Sequence, residues 1–290
     1  MKNIMTSRVI NNMICTFAIV LPLHIGTGLG PTVEIGDLSD SLVAASNADD
    51  VPSAGKTNIV LLDLTGEYCD TKCFLTQNME TLEFLAKTFG VDKDALVEDL
   101  IAVNSKDRFV PNNIGRLTDS DGSLKDYGSF EKGLIEYLYI FVKNNPKFVD
   151  NTYVPYRGGS DYVINLIKYF TQIYDNVDYL TAVSIGAAES GYYQVKYMLN
   201  ENNVYGGMSS SGLIRHKTIE YGILSYIRML SLYYYGKGLD TPEKIGRVYC
   251  PTYDTNGNKV ASSHWLNLVS KAMAYYEDST SVVNVTDLND

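Results

Sequence analysis

The chain has 290 residues and is acidic, with 34 Asp and Glu against 24 Lys and Arg and a formal net charge of −10. An acidic chain without a basic stripe, zinc-finger spacing or RNA-binding motif is a poor ligand for phosphate backbones, so the sequence predicts no nucleic-acid partner. Two of the three histidines, His216 and His264, have no cysteine or carboxylate at ligand spacing, which disfavours zinc chemistry.

Residues 1–30 have the pattern of an export signal. Basic residues precede an apolar run over residues 13–23, which then breaks at Pro22 and His24. A bilayer span needs about 20 apolar residues, so the pattern favours a cleaved signal peptide over a retained anchor. Residues 31–58, rich in Asp, Ser, Ala and Gly without periodicity, are typical of a disordered spacer. We therefore expect a secreted protein with no stable membrane span after processing.

The cysteines carry little chemical information. Cys15 lies inside the predicted signal, and Cys69, Cys73 and Cys250 remain, an odd number that cannot complete a disulfide framework. Cys69 and Cys73 lie four positions apart and either pair or face each other on a helix.

Residues 59–150 are predicted to form a helical accessory region. Its apolar opening, residues 59–64, fits either a strand or the entry to a helix. Apolar spacing and caps predict three helices in this region. The first covers 78–89 with Gly90 as its stop, the second begins after Asp92, and the third runs from Ser129 to Asn144. Residues 104–128 are predicted to be a loop. The region has no chemical motif, so we expect a structural role.

Residues 151–280 form the second predicted domain, followed by a tail at 281–290. Ser160 is the expected cap of its first helix, and the next helix, over 180–190, ends at Gly191. The glycine- and serine-rich segment 206–216 predicts a hairpin-like flap. A strong amphipathic helix follows over 218–235, with Gly236 as its stop. The last helix is opened by Trp265, a residue type that is more often a core anchor than a ligand.

Glu189 is the main candidate for chemistry. It ends a helix of small and apolar residues, and no Lys or Arg follows it until Lys196. Partial burial in such surroundings disfavours the charged carboxylate and raises its pKa, as a general acid at neutral pH requires. The alternative is a solvated glutamate at a helix end, which is the usual position for acidic residues.

The segment around Glu189 resembles the glucosaminidase domain of glycoside hydrolase family 73, in the lysozyme-like superfamily. The resemblance covers about residues 160–277 and rests on Glu189-Ser190-Gly191, Leu199-Asn200 and Asn203-Val204-Tyr205-Gly206. The tryptophan that follows Glu-Ser in that family is absent, and Tyr192 or Tyr193 is the candidate replacement.

This resemblance implies a mainly α, lysozyme-like α+β fold: a helical catalytic lobe with a small β-hairpin flap, preceded by a helical N-terminal region. It implies an endo-β-N-acetylglucosaminidase that cleaves peptidoglycan glycan strands, and it implies no metal or cofactor. We further expect a monomer that is secreted or associated with the cell wall. Glu189 is the expected acid. Glu220 is the best match to the second carboxylate, and Asp254 is a weaker match. In substrate-assisted enzymes, the 2-acetamido group of the substrate takes the place of the second carboxylate.

Tyrosine is abundant, with 23 residues, and its ring suits the apolar faces of sugars. The predicted substrate-binding residues lie in or near expected cleft loops: Ser190, Tyr192, Asn203, Tyr205, Tyr249 and Tyr253. Two alternatives remain. A lytic transglycosylase also uses one glutamate on a similar fold, although Asn-Val-Tyr-Gly replaces its usual Gly-Leu-Met-Gln turn. A non-catalytic wall-binding or surface protein is the other.

Overall fold

The computed structural model describes residues 70–105, 110–277 and 282–288. The predicted signal at 1–30, the spacer at 31–58 and the apolar segment 59–64 lie outside these residues. Cys73 is disulfide-bonded. The described residues fall within one compact unit. The domain boundary near residue 150 stays a prediction.

The described residues are 59% helical and 7% strand, which confirms a mainly α protein. The helices are α1 (Thr71–Gln77), α2 (Met79–Thr88), α3 (Lys93–Val103), α4 (Phe130–Asn144), α5 (Ser160–Ile173), α6 (Tyr179–Ser190), α7 (Lys196–Asn200), α8 (Ile219–Met229), α9 (Pro242–Tyr249) and α10 (Ser263–Tyr276). Two antiparallel hairpins pair β1 (Met208–Ser209) with β2 (Gly212–Leu213) and β3 (Pro251–Tyr253) with β4 (Lys259–Ala261). The first hairpin lies within the predicted flap.

Side-chain caps begin most of the predicted helices where the sequence places them. Asp92 accepts a hydrogen bond from the Ala95 backbone N–H at 2.8 Å, and the Ser129 hydroxyl accepts one from Lys132 at 3.2 Å. These contacts satisfy backbone donors that the first turn of a helix leaves without partners. The start of α5 differs from the prediction, because Gly159 is the cap and Ser160 is the first helical residue.

The predicted helix over 218–235 also ends differently. Thr218 caps it as α8, but the regular α-helix stops at Met229 and continues as a π-helical turn over Leu230–Tyr234. A short 3-10 turn over Tyr235–Lys237 follows. Gly238, at φ +74°, supplies the left-handed stop that the sequence pattern predicts at Gly236. The wider π turn moves the end of the helical segment two residues downstream.

Helix α6 lies at the centre of the core because it is apolar on all sides. Nine of its twelve residues are buried. It packs against α5 on one side and α10 on another, and α5 in turn packs against α8. Gly186 allows the Tyr193 ring to approach closely, since an added Cβ there would lie 2.7 Å from the Tyr193 hydroxyl. The core therefore holds the end of α6 from several directions.

The first half of the described chain packs on α5 and α8. Phe84 of α2 meets Tyr169 of α5 edge to face, with ring centroids 5.4 Å apart. Glu136 of α4 accepts two hydrogen bonds from the Arg228 guanidinium of α8, at 2.9 and 2.8 Å. Among the described helices, none is both long and apolar enough to cross a membrane.

Candidate functional site

The end of α6 turns through three successive left-handed residues. Gly191, Tyr192 and Tyr193 have φ angles of +57°, +57° and +60°. For residues other than glycine this conformation costs roughly 1–2 kcal/mol each, so the packing around the two tyrosines must compensate. Tyr193 enters the core and donates a hydrogen bond to the Val183 carbonyl at 2.5 Å. The predicted glycine stop is confirmed, and the tight turn leaves Glu189 at the edge of the core.

Glu189 is held by three separate elements. Its Oε1 accepts a hydrogen bond of 2.9 Å from the indole Nε1 of Trp265, on α10. Its Oε2 lies against Gly206, where an added Cβ would come within 3.0 Å of that oxygen. The carboxyl group therefore sits between the end of α6, the first turn of α10 and the turn before β1.

The surroundings of Glu189 favour its neutral form. Burial raises its pKa from 4.5 to about 7, while the hydrogen bond from Trp265 acts in the opposite direction. Burial also raises the pKa of Tyr226 and Tyr249, and the negative charge on Glu189 adds to both shifts. With a pKa near 7, about half of the carboxyl groups carry a proton at neutral pH, as a general acid requires.

Asn203 builds the turn that brings Gly206 to the carboxyl group. Its side-chain amide donates to the carbonyls of Gly207 and Ile214, both at 2.9 Å. Its side-chain oxygen accepts from the backbone N–H groups of Gly207 and Tyr205, at 3.2 and 3.3 Å. Because Asn203 is fully buried and its side chain makes all of these contacts, it fixes the turn that carries Gly206.

Stacked aromatic rings support the turn. Tyr205 stacks on Tyr226 with centroids 5.1 Å apart, and Tyr249 lies 5.6 Å from Trp265. The Tyr249 hydroxyl donates to the Tyr205 carbonyl, and the Tyr205 hydroxyl meets His216 Nε2 at 3.1 Å. Burial lowers the pKa of His216 to about 4, so its imidazole is neutral at physiological pH.

The predicted substrate-binding residues occupy different environments. Ser190, Tyr205 and Tyr249 are buried. The Ser190 hydroxyl donates to the Gly186 carbonyl at 2.6 Å and accepts from the Tyr193 N–H, which closes the helix end. Tyr192 is half-buried, whereas Tyr253, on β3, is 70% exposed. Direct sugar contact by these residues stays a prediction.

Glu220 lies in other surroundings. Its Oε1 accepts a hydrogen bond of 2.7 Å from the Tyr162 hydroxyl of α5. It also lines a cavity of about 20 Å³ together with Phe84 and Lys87 of α2. Glu220 therefore faces α2 and α5, whereas Glu189 faces α10 and the Gly206 turn.

Asp254 closes the turn between β3 and β4. It accepts hydrogen bonds from the backbone N–H groups of Asn256 and Asn258, each at 2.8 Å, and from the Asn258 amide at 3.0 Å. The side chain and backbone of Asn258 hold the pKa of Asp254 below its ordinary value. These contacts show that Asp254 stabilises the turn between β3 and β4.

Trp265 and Gly206 contact the carboxyl group, and sequence reasoning assigned neither to it. Trp265 is buried, as expected of a core anchor, and its N–H is the polar contact that periodicity does not reveal. The Ser262 cap was the available signal, because its hydroxyl accepts a hydrogen bond from the Trp265 backbone N–H and fixes where α10 begins. The hairpin β3–β4 was also missed, in a segment interpreted as a loop.

Within the described ranges, no group of three or more His, Cys, Asp or Glu side chains is arranged to hold a metal ion. No protein-family model, curated protein or solved structure matches the chain. The chemistry around Glu189 is therefore the basis for a functional assignment.

Proposed function

We propose that the chain is an exported peptidoglycan hydrolase, an endo-β-N-acetylglucosaminidase on a lysozyme-like fold, with Glu189 as general acid. The observation that carries this proposal is the position of the Glu189 carboxyl group, enclosed at the end of α6 between Gly206 and the Trp265 N–H, where burial raises its pKa to about 7. A carboxylic acid that stays protonated near neutral pH is the group that glycosidases use to protonate the leaving oxygen.

In this mechanism, neutral Glu189 transfers its proton to the glycosidic oxygen as the bond from that oxygen to the anomeric carbon breaks. The sugar develops oxocarbenium character, and Glu189 becomes a carboxylate. The Trp265 N–H then stabilises the new charge, because its hydrogen bond favours the ionised form. Trp265 thus keeps the acid strong enough to release its proton, while burial keeps it from ionising too early.

The contacts of Glu220 favour a mechanism with a single protein carboxylate. Glu220 is bonded to Tyr162 and faces α2, so we assign it no step. The carbonyl oxygen of the substrate's own 2-acetamido group instead attacks the anomeric carbon from the opposite face. Water then attacks the anomeric carbon and gives a proton to the Glu189 carboxylate, which opens the resulting ring, yields a reducing N-acetylglucosamine end and restores the neutral acid.

A lytic transglycosylase is the second candidate, because the same single acid serves it. Glu189 would protonate the leaving oxygen and then, as a carboxylate, remove the proton from the C6 hydroxyl of N-acetylmuramic acid. That hydroxyl oxygen would attack the anomeric carbon and close a 1,6-anhydro ring without water. The two reactions leave different chain ends.

Product analysis separates these proposals. Purified peptidoglycan is digested with the protein and its fragments are analysed by mass spectrometry after borohydride reduction. Reduced N-acetylglucosamine ends are expected, and anhydromuramic ends would assign the transglycosylase reaction instead. Wall binding without any cleavage would leave only the non-catalytic alternative.

Matched variants test the assignment of the acid. Glu189→Gln keeps the size of the side chain and removes its proton, so turnover should fall by about 10²–10⁴-fold with wall binding retained. Glu220→Gln should stay within a few fold of the unmodified protein. An equal loss in both variants would show that a second carboxylate is required.

A further inference from the structure

A cavity of about 420 Å³ lies where the start of α5, the end of α6 and the last turn of α10 meet. Its lining includes Asp161, Gly191, Tyr192, Gln194, Tyr275 and Tyr276. The carboxyl group of Glu189 faces Trp265 and Gly206 instead, so the cavity is a place to bind a ligand apart from the proposed acid.

Three tyrosine rings form one wall of this cavity. Tyr275 meets Tyr276 at 4.9 Å and Tyr192 at 5.5 Å between centroids, with both pairs close to perpendicular. Tyr276 and Tyr192 lie 6.3 Å apart. Tyr275 is 72% exposed, so this aromatic group reaches the surface. Ring faces carry the negative part of the aromatic quadrupole and attract cations.

The backbone at this wall is held in a costly conformation. Tyr192 has a φ of +57°, which residues other than glycine rarely adopt. The turn places its ring against the tyrosine pair of α10. Strain of this kind concentrates where a side chain must be aimed at a ligand.

The charge in the cavity lining is negative. Asp161, on the first turn of α5, has an exposed carboxylate and is the charged residue of the lining. Its field reaches the tyrosine wall, because it adds to the raised pKa of Tyr276, which burial and neighbouring tyrosines raise first. The end of α6, at Gly191, contributes the negative end of a helix dipole. The ring faces, the carboxylate and the dipole thus favour the same kind of ligand.

We propose that this cavity binds a primary ammonium group carried on a short alkyl chain, such as the side chain of a lysine-type residue. The tyrosine rings contact the alkyl chain and the cation, and the Asp161 carboxylate pairs with the ammonium. This site goes beyond the proposed function, because proton transfer from Glu189 does not need it. A neutral sugar is the rival ligand, since tyrosine also packs against sugar rings, and charge distinguishes the two.

Backbone amide shifts of the isotope-labelled protein test the proposal directly. Titration with n-pentylamine should move the signals of Gly191, Tyr192 and Gln194, with smaller effects at higher salt because the carboxylate is exposed. Its neutral analogue 1-pentanol should leave these signals unchanged, and N-acetylglucosamine added to the amine complex should not displace the amine. Equal shifts with 1-pentanol would reduce the site to an apolar cavity, and shifts with the sugar alone would make it a saccharide site. Either result, or no shift with the amine, overturns the proposal.

Variants then assign the contacts. Asp161→Asn and Tyr275→Leu should each weaken amine binding by about threefold to fivefold, as expected for an exposed ion pair and an exposed cation–π contact. Asp175→Asn and Tyr233→Leu are the matched controls, because both residues are exposed and outside the cavity lining. Unchanged affinity in both test variants would overturn the assignment. N-acetyl-lysine amide as a second probe separates the sources: tighter binding than n-pentylamine assigns a peptide, and equal binding a free amine.

Discussion

Glu189 at the end of α6 and Glu136 on α4 are both partly buried, yet their surroundings differ in charge. Glu136 faces the Arg228 guanidinium through two hydrogen bonds and also accepts one from the Tyr174 hydroxyl, at 3.0 Å. Glu189 faces an indole N–H and the backbone of Gly206. A guanidinium compensates a buried negative charge, whereas one neutral N–H compensates it only in part. The first arrangement links α4 to α8, and the second favours the protonated form of the carboxyl group.

Glutamine at the two positions should therefore have opposite effects on the free energy of unfolding, and Glu189→Gln should give the larger change. A carboxyl group whose pKa rises on folding stabilises the protein below its unfolded pKa, and this contribution is lost as pH rises through the folded value. For Glu189 that window runs from 4.5 to about 7. Over it, the stability of Glu189→Gln relative to the unmodified protein should increase by about 3 kcal/mol.

Urea unfolding of both proteins across this pH range measures the difference. His216, whose pKa is lowered to about 4, destabilises the fold as pH falls below its ordinary value of 6.5. It does so in both proteins, so its contribution cancels in the comparison. A stability difference that stays constant with pH would mean that Glu189 ionises as freely as a solvated glutamate.

Glu136→Gln should destabilise the protein by about 2 kcal/mol, because it breaks a partly buried ion pair and leaves Arg228 without its charge partner. Glu83→Gln is the matched control: its ion pair with Lys93 is exposed on both sides, so we expect little change. Thermal unfolding at neutral pH provides the measurement. Equal effects in the two variants would remove the distinction between the Glu136 contact and a surface ion pair.

Gly206→Ala tests the contact behind the Glu189 carboxyl group. It should cost about 1–2 kcal/mol, because φ at this position is +69° and the new Cβ would press on Oε2 at 3.0 Å. Gly257→Ala, in the β3–β4 turn, has a φ of +78° with no atom within 4 Å of the added Cβ, so it reports the backbone strain alone. Glycan cleavage should fall in the first variant only.

Trp265→Phe should have the smallest effect and sharpen the electrostatic argument. The hydrogen bond from Trp265 lowers the pKa of Glu189, so its removal should raise that pKa. The falling limb of kcat/KM against pH should move to higher pH, with a stability loss of about 1 kcal/mol. A shift to lower pH would contradict the assigned contact.

Local sequence patterns predicted much of the fold. The helices after Asp92 and Ser129 begin at their caps, and Gly191 and the flap around β1–β2 lie where expected. Capping and helical spacing depend on residues a few positions apart, so a single segment of sequence is enough to predict them. The starting cap of α5 was wrong by one residue because Gly159 caps the helix, and the end of the α8 segment was wrong by two because the π turn carries it on to Gly238.

The sequence by itself determined that Glu189 ends an apolar helix, and this position already implied a raised pKa. Only the tertiary structure decided what the carboxyl group touches, because Trp265 lies 76 positions further along the chain. Packing also directed Glu220 toward α2 and brought Tyr192 to the tyrosines of α10. Such contacts depend on how whole helices pack against one another. That packing is determined by all the residues of the core together, so no single segment predicts it.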